Sequence, residues 1–540
     1  MNNASTKNSN EPAGAGDAIY PPLIQALHRA DAYPHAVEPI RLVETHISWL
    51  LLTGEYVYKI KKPVDFGFLD FSTLERRRFF CEEELRLNRR LASELYLDVV
   101  PITGTSEHPQ IAGTGPAIEY AVKMVQFPAG QLLSERAERG QLETGEIDQI
   151  TRLVAAFHET IERAGEESVY GNSDVIQQWF MENIDTVKPL LADASQLRQL
   201  ESIQAWGDAQ WRGKIALMQQ RKRQGYVREC HGDLHLNNIT LINGKVTLFD
   251  CIEFNPTLRW IDVVSEIAFL FIDLLHVGYE GLANRFLNQY LHYTGDYGGL
   301  ALLRYYLVYR AMVRAKVTLL RMAQQQNNEA VCARARADYA VYAHLAERFT
   351  KDGWPALIIT HGYSGSGKST LVSQLAERLG VIQIRSDVER KRLFGYLMLE
   401  ATRSGVDQGL YTQEAGRQTF QRLAGLARSV IEAGFTAVVD ATFIAAALRE
   451  QFRALANDCG VPFLIIDFQA SEQELYRRIE RRRQLENDAS EATLEVLQQQ
   501  LASAQPLSAD ELAFTISVNT ESDNTLDQLL HDINKFLLHQ

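Results

Sequence analysis

The spacing of apolar residues changes along the chain, and the changes divide it. Over residues 21–130 the pattern is strand-like with one helix. HISWLLL, then TGE, then YVYKIKK reads as a β-hairpin turning at Thr53, Gly54 and Glu55. The stretch LERRRFFCEEELRLNRRLA at 74–92 repeats at helical spacing through Phe80, Glu84, Leu87 and Leu91. Residues 131–345 read as mostly helical. Leu302 to Phe349 is a long helical region, split at QQQNNE, 324–329. IAFLFIDLLHVG at 267–278 is largely apolar, contains Asp273 and is too short to span a bilayer, so it reads as a buried helix. KDGWP at 351–355 is a linker signal.

Beyond it, strands and helices alternate. ALIITHG is a strand entering a Gly-rich turn, and KSTLVSQLAERLG is a helix ended by Gly380. VIQIRSD, FTAVVDATF, VPFLIIDFQA and ELAFTISVNT are strands, with a helix from Gln421 to Ala433 ended by Gly434. Such alternation predicts a parallel sheet with helices on both faces. No internal repeat relates the two halves.

A chain of 540 residues exceeds one core, and roughly two to four domains are expected. The expected division is a tail at 1–20, a first domain at 21–345 with lobes 21–130 and 131–345, a linker at 346–355 and a second domain at 356–540. Apolar residues at 46% and charged residues at 23% are ordinary for a globular protein. The net charge of −13 disfavours a general nucleic-acid binder. The five cysteines include no CxxC pair, which suggests neither zinc nor a disulfide framework and fits a reducing cytoplasm. The first residues, MNNASTKNSNEPAGAGD, lack an apolar signal core and read as a disordered tail.

The first chemical motif is HGDLHLNNI at 231–239 followed by FD at 249–250. In HxDxxxxN an Asp can take the proton of an attacking hydroxyl, and an Asn five residues on can hold Mg²⁺. His231, Asp233 and Asn238 have that spacing. LINGKVTLFD adds a hairpin turning at Asn243-Gly244, with Asp250 at its end. These residues resemble the aminoglycoside phosphotransferase and choline kinase branch of the protein-kinase-like fold, over about residues 21–345. The resemblance implies a two-lobed domain with Asp233 as catalytic base and Asn238 and Asp250 as Mg²⁺ ligands. It also implies a first-lobe lysine, Lys59, paired with a helix acid, Glu84, at the ATP phosphates. Lys61 shares the face of Lys59 and is the alternative. Asp262 falls where that family often supports the catalytic loop. His158, His231 and His235 read as structural. Trp179, Glu182 and Asp185 are either acceptor-lining or ordinary helix residues.

The second motif, GYSGSGKS, satisfies GxxxxGKS with Gly362, Gly367, Lys368 and Ser369. Such a loop turns backbone N–H groups toward phosphate oxygens, its Lys neutralises β/γ charge and its Ser holds Mg²⁺. Tyr363, Ser364, Gly365, Ser366 and Thr370 complete the ATP-binding run. Asp387 and Arg390 follow the second strand, Asp440 the third, and an Arg-rich helix begins near 478. This resembles small P-loop kinases related to polynucleotide kinases, zeta toxins and gluconate kinases, on a doubly wound parallel sheet. The resemblance implies Asp387 as base, Arg390 at the acceptor, Arg478 or Arg482 in a lid, and Asp440 near Mg²⁺. The plain alternative for the Arg run is a solvated face pairing with Glu474, Glu480 and Glu486.

The domain order also resembles a family of bacterial two-domain proteins. The expectation is a cytoplasmic phosphotransferase with two ATP- and Mg²⁺-dependent sites and small-molecule hydroxyl acceptors. A nucleic-acid 5′ end is an open acceptor for the second site, though the net charge does not favour it, and no membrane partner is expected. Two alternatives stand beside it: a P-loop switch regulating one kinase, and a first domain that binds nucleotide without transferring phosphate.

Overall fold

The computed structural model describes residues 20–67, 69–324, 328–353, 355–398, 400, 412–485, 490, 492–522 and 525–538. The expected N-terminal tail, up to residue 19, lies outside them, as does Glu486. The chain forms two compact units. One runs to Pro128 and takes in Glu253–Asn255; the other holds Ala129–Ile252 and Pro256–Gln540.

The first unit is a sheet of strands β1 (Arg41–Glu44), β2 (Ser48–Leu52), β3 (Tyr56–Lys61), β4 (Tyr96–Gly104), β5 (Pro109–Ile111) and β6 (Ala117–Val125) in the order β1-β2-β3-β6-β4-β5. Neighbouring strands are antiparallel. Gly54 turns the β2–β3 hairpin at φ 101°. Helix α1 (Leu74–Ala92) has the bounds its periodicity predicts, and Thr73 caps it by accepting the Arg76 N–H. A short helix, Pro22–Ala26, adds Ile24 to a core with Leu51, Tyr58, Ile60 and Ile102.

The second unit begins helical. Helix α2 (Thr144–Thr160) precedes the short strand β7 (Val227–Glu229) and the hairpin β8 (Ile239–Ile242) and β9 (Lys245–Leu248). Asn243 and Gly244 turn that hairpin at φ 51° and 75°, the left-handed values a two-residue turn needs. Strand β10 (Trp260–Asp262) pairs with β7 and leads into α3 (Val263–His276). Helices α4 (Glu280–Thr294), α5 (Leu300–Gln324) and α6 (Glu329–Thr350) follow. The helix therefore runs on into the expected linker, to Thr350. No helix among the described residues is long and apolar enough to cross a membrane.

The same unit ends in a five-stranded parallel sheet of β11 (Leu357–His361), β12 (Ile382–Arg385), β13 (Ala437–Asp440), β14 (Phe463–Gln469) and β15 (Thr515–Asn519), in the order β12-β13-β11-β14-β15. Helices α7 (Lys368–Leu379), α8 (Ser386–Leu393) and α9 (Glu472–Leu485) connect its strands. Apolar runs such as LIITH are buried on both faces, as a covered parallel sheet requires. Edge strand β12 is covered by α4 of the helical segment.

Candidate phosphoryl-transfer sites

Lys59 and Lys61 alternate along β3 and present one face, where α1 brings Glu84. Lys59 Nζ lies 2.8 Å from Glu84 Oε1 and Lys61 Nζ 2.7 Å from Glu84 Oε2. Both lysines anticipated for this role are therefore paired with the same acid. Lys61 is fully buried and also pairs with Glu253, a contact that sequence spacing did not suggest. Burial acts to raise the Glu84 pKa, but the two lysines outweigh it and hold the carboxyl below its ordinary value. The side chain of Lys59 is 10% exposed and that of Lys61 0%, so Lys59 is the one with access to a ligand.

In the second unit, the loop after β7 carries the HxDxxxxN residues. Asn238 Nδ2 donates to the Asp233 carbonyl and to Asp233 Oδ2, each at 3.0 Å. His235 Nε2 lies 3.2 Å from Asp233 Oδ2. Burial acts against the Asp233 charge, but His235 and Arg314 prevail and keep the carboxyl well below the usual range. His231 supports the loop: its Nε2 meets the Phe249 carbonyl at 2.8 Å, and burial pushes its pKa down to about 4. Asp250 sits at φ 67° after β9. His158 is a buried packing residue, with Nδ1 2.8 Å from the Tyr290 hydroxyl.

The loop's support differs from the one anticipated. Asp262 does not reach it: its carboxylate takes Arg221 at 2.7 Å and caps α3 through the Val264 N–H. One turn further, Glu266 accepts the backbone N–H groups of His231 and Gly232 at 2.7 and 3.0 Å. Asp273 accepts the Leu236 N–H at 2.9 Å and lies 3.5 Å from Arg314. An isolated acid in an apolar helix was the available signal for both. Of the proposed acceptor-lining residues, Trp179 donates to Thr257 Oγ1 and Glu182 pairs with Lys316.

The P-loop passes from β11 into α7. Gly362, Gly365 and Gly367 adopt φ 136°, 84° and 86°, and a Cβ at Gly362 would lie 2.6 Å from the Phe468 carbonyl oxygen. Only glycine fits such a turn. Lys368 Nζ donates to the carbonyls of Gly362 and Tyr363 at 2.9 and 2.6 Å. Burial pushes its pKa down to about 8, against the pull of Asp440 and Asp387. Ser366 is buried beside it, and Tyr363 packs toward Leu475 and Ile479. Ser364 is held through both its N–H and its hydroxyl by Gln500.

A cavity of about 400 Å³ opens here, and its walls include Ser364, Gly365, Gly367, Lys368, Ser369, Thr370, Asp387, Arg390 and Asp440. Ser369 and Asp440 line the same cavity, and burial raises the Asp440 pKa against the opposing effects of Arg385 and Ser369. Arg390 stands 3.6 Å from Asp387. Arg478, Arg481 and Arg482 also line the cavity. Arg478 reaches Gly365 O and Thr520, whereas Arg482 donates to the Ala492 carbonyl. The solvated-face alternative holds in part: Arg477 and Arg478 do pair with Glu474. The hydroxyl of Ser369 and the carboxylate of Asp440 are hard oxygen donors suited to Mg²⁺, as are the side-chain oxygens of Asn238 and Asp250.

Comparison with known proteins places these features. Residues 357–507 match the AAA domain family. Among solved structures, a gluconokinase from Sinorhizobium meliloti is 18% identical, covering 35% of this chain and 96% of its own, with a TM-score of 0.26. The amicoumacin kinase hAmiN, solved with AMP-PNP, is 13% identical over 59% of this chain and 91% of its own, with a TM-score of 0.37. The uncharacterized proteins Rv2004c of Mycobacterium tuberculosis and Mb2027c of Mycobacterium bovis are each 30% identical over 442 residues, which is 82% of this chain and 86% of theirs. Identity of that extent spans both motifs, and the chain belongs to the same family as Rv2004c, with an AAA-type P-loop domain in its C-terminal part.

Proposed function

We propose that the protein is an ATP-dependent phosphotransferase with two transfer sites, each moving the γ-phosphoryl group of Mg·ATP to a hydroxyl. The observation that carries this reading is the P-loop cavity, where Lys368, Ser369 and Asp440 share walls with Asp387 and Arg390. A binding loop alone would need the first three; the last two add a carboxylate base and a cation on the acceptor side. Mg²⁺, held by Ser369 and Asp440, would neutralise charge on the β- and γ-phosphates. Lys368 contributes a second positive charge, and the P-loop N–H groups orient the phosphates. Asp387 takes the acceptor's hydroxyl proton while that oxygen bonds the γ-phosphorus and the bond to the β–γ bridging oxygen breaks, releasing ADP. An arginine from 478–482 covers the transferred group.

The charge of the cavity supports an anionic acceptor. Among the described lining residues, Lys368, Arg385, Arg390, Arg478, Arg481 and Arg482 face only Asp387 and Asp440 as acids. Mg·ATP carries about two negative charges and offsets half of that excess. A hydroxyl compound with its own carboxylate or phosphate fits the remainder.

In the second unit we propose Asp233 as base of the first site and Asn238 and Asp250 as its metal ligands; in the first unit we propose Lys59 with Glu84 as the pair for ATP phosphates. The low Asp233 pKa keeps its carboxylate ionised near neutrality, as a proton acceptor must be. ADP release with gluconate, glucose, glycerate and glycerol tests the acceptor class on an Asp233→Ala protein. The reading expects faster release with the acids than with their neutral counterparts. A rate that no hydroxyl compound changes would instead support an ATP-driven switch.

A further inference from the structure

Gln383 on β12 is 1% exposed and joins two parts of the second unit. Its Nε2 donates to Asp440 Oδ2 at 3.0 Å, and its Oε1 accepts from Ser373 Oγ of α7 at 3.0 Å. Its backbone is held from the other side, by the helical segment. The Gln383 N–H donates to Asn288 Oδ1 at 2.8 Å. Its carbonyl lies 3.1 Å from His292 Nε2 and 3.4 Å from the Tyr297 hydroxyl. Burial keeps the His292 ring neutral, with its pKa down to about 3, so Nε2–H is the donor to that carbonyl.

The contact extends along α4. Asn288 Nδ2 donates to the Val381 carbonyl at 3.0 Å, and Asn284 Nδ2 to the Glu377 carbonyl at 2.9 Å, near the C-terminal end of α7. Arg285 bridges Glu377 of α7 and Asp148 of α2. An edge strand leaves a row of backbone N–H and C=O groups open to pairing. Here polar side chains of α4 take those groups at two successive odd positions of β12 and its approach, Val381 and Gln383. Such buried polar contacts are expensive to leave half made, so they fix one seating of helix on strand.

We propose that Gln383 is the positioning residue for the P-loop metal site and that α4 holds it in place, so that the helical segment completes the second site. This rests on the reading of that site as one that binds Mg·nucleotide. Asp440 has two carboxylate oxygens and a rotatable terminal torsion. The Gln383 amide fixes Oδ2, which sets the plane of the carboxylate and so the direction of the lone pairs it would offer to a bound Mg²⁺. Groups that orient a metal ligand in this way tune affinity roughly 10- to 100-fold.

The test uses the full chain and a fluorescent ADP analogue, titrated over a range of Mg²⁺ concentrations. The second site's signal is the part lost in Lys368→Ala. Gln383→Met keeps the length of the side chain and removes both amide groups. The proposal expects its half-saturating Mg²⁺ to rise roughly 10- to 100-fold, with nucleotide affinity regained at saturating Mg²⁺. Asn288→Ala touches neither nucleotide nor metal and is expected to raise the same Mg²⁺ midpoint roughly 2- to 30-fold. Unchanged midpoints in the two variants overturn the proposal. So does a loss of binding that added Mg²⁺ does not restore, the mark of a merely structural role; if Gln383→Met fails to fold, Asn288→Ala decides by the same criterion. If Lys368→Ala removes no Mg²⁺-dependent signal, the reading of the nucleotide site fails first, and the proposal with it.

Discussion

Replacing Lys61 and Lys59 separately by methionine separates a structural lysine from a ligand-facing one. Lys61 is fully buried between Glu84 and Glu253. Lys61→Met leaves Glu253 buried without that partner, and Glu84 with Lys59 alone. Breaking a buried pair from one side costs about 3–5 kcal/mol. Lys59→Met leaves Glu84 bound to Lys61 and removes one close ion pair, about 1–3 kcal/mol. Urea unfolding of the full chain, followed by intrinsic fluorescence, reads the difference. Lys61→Met should be the less stable of the two by about 2 kcal/mol. Adding Glu253→Met to Lys61→Met removes the acid that has lost this lysine and should recover most of the loss. Nucleotide binding should follow the opposite order, falling in Lys59→Met and persisting in the Lys61→Met/Glu253→Met protein. A double variant no more stable than Lys61→Met, or a Lys59→Met protein with intact nucleotide binding, would refute this division of labour.

Other outcomes follow from the same geometry. Lys368 has its pKa lowered to about 8, and phosphate binding favours its charged form, so binding above that pH must take up a proton. Nucleotide affinity at the P-loop should therefore fall about tenfold per pH unit above that value, measured by titration calorimetry in two buffers of different ionisation heat. Glu266→Leu leaves the His231 and Gly232 N–H groups without their carboxylate acceptor; transfer at the first site should slow by about 1–3 kcal/mol of barrier while nucleotide affinity holds, in steady-state kinetics. Gly367→Ala must adopt φ 86° with a Cβ 3.0 Å from Arg478, and should weaken P-loop nucleotide binding by at least about 1–2 kcal/mol in the same calorimetric assay.

Local pattern was legible where one element decides it. The bounds of α1, the Asn243-Gly244 turn and the strand–loop–helix at 357–379 follow from spacing and from residues that permit left-handed backbone. Boundaries set by a cap were less so. The helix expected from Gln421 begins at Gln413, because Thr412 caps it by accepting the Ala415 N–H. Contacts between distant segments were not legible from spacing, and the Lys59–Glu84 pair was anticipated through the family resemblance alone. Glu266 reaches a loop 34 residues earlier, and Gln383 an acid 57 residues later. A lone Gln in VIQIRSD looks like any polar strand residue until both neighbours of the strand are known. Asp262 shows the converse: its position in a family pattern pointed to the loop, but Arg221, from a different helix, claims its carboxylate.

Two sites in one chain, each transferring phosphate, should leave separable products. Labelled ATP in a metabolite extract, with mass-spectrometric identification of labelled products, tests this directly on the intact protein and on its Asp233→Ala and Lys368→Ala variants. Two sets of phosphorylated products are expected, one lost with Asp233→Ala and the other with Lys368→Ala, the latter set enriched in acceptors that were already anionic. A single set lost in both variants, or labelled products that neither substitution removes, would contradict this expectation.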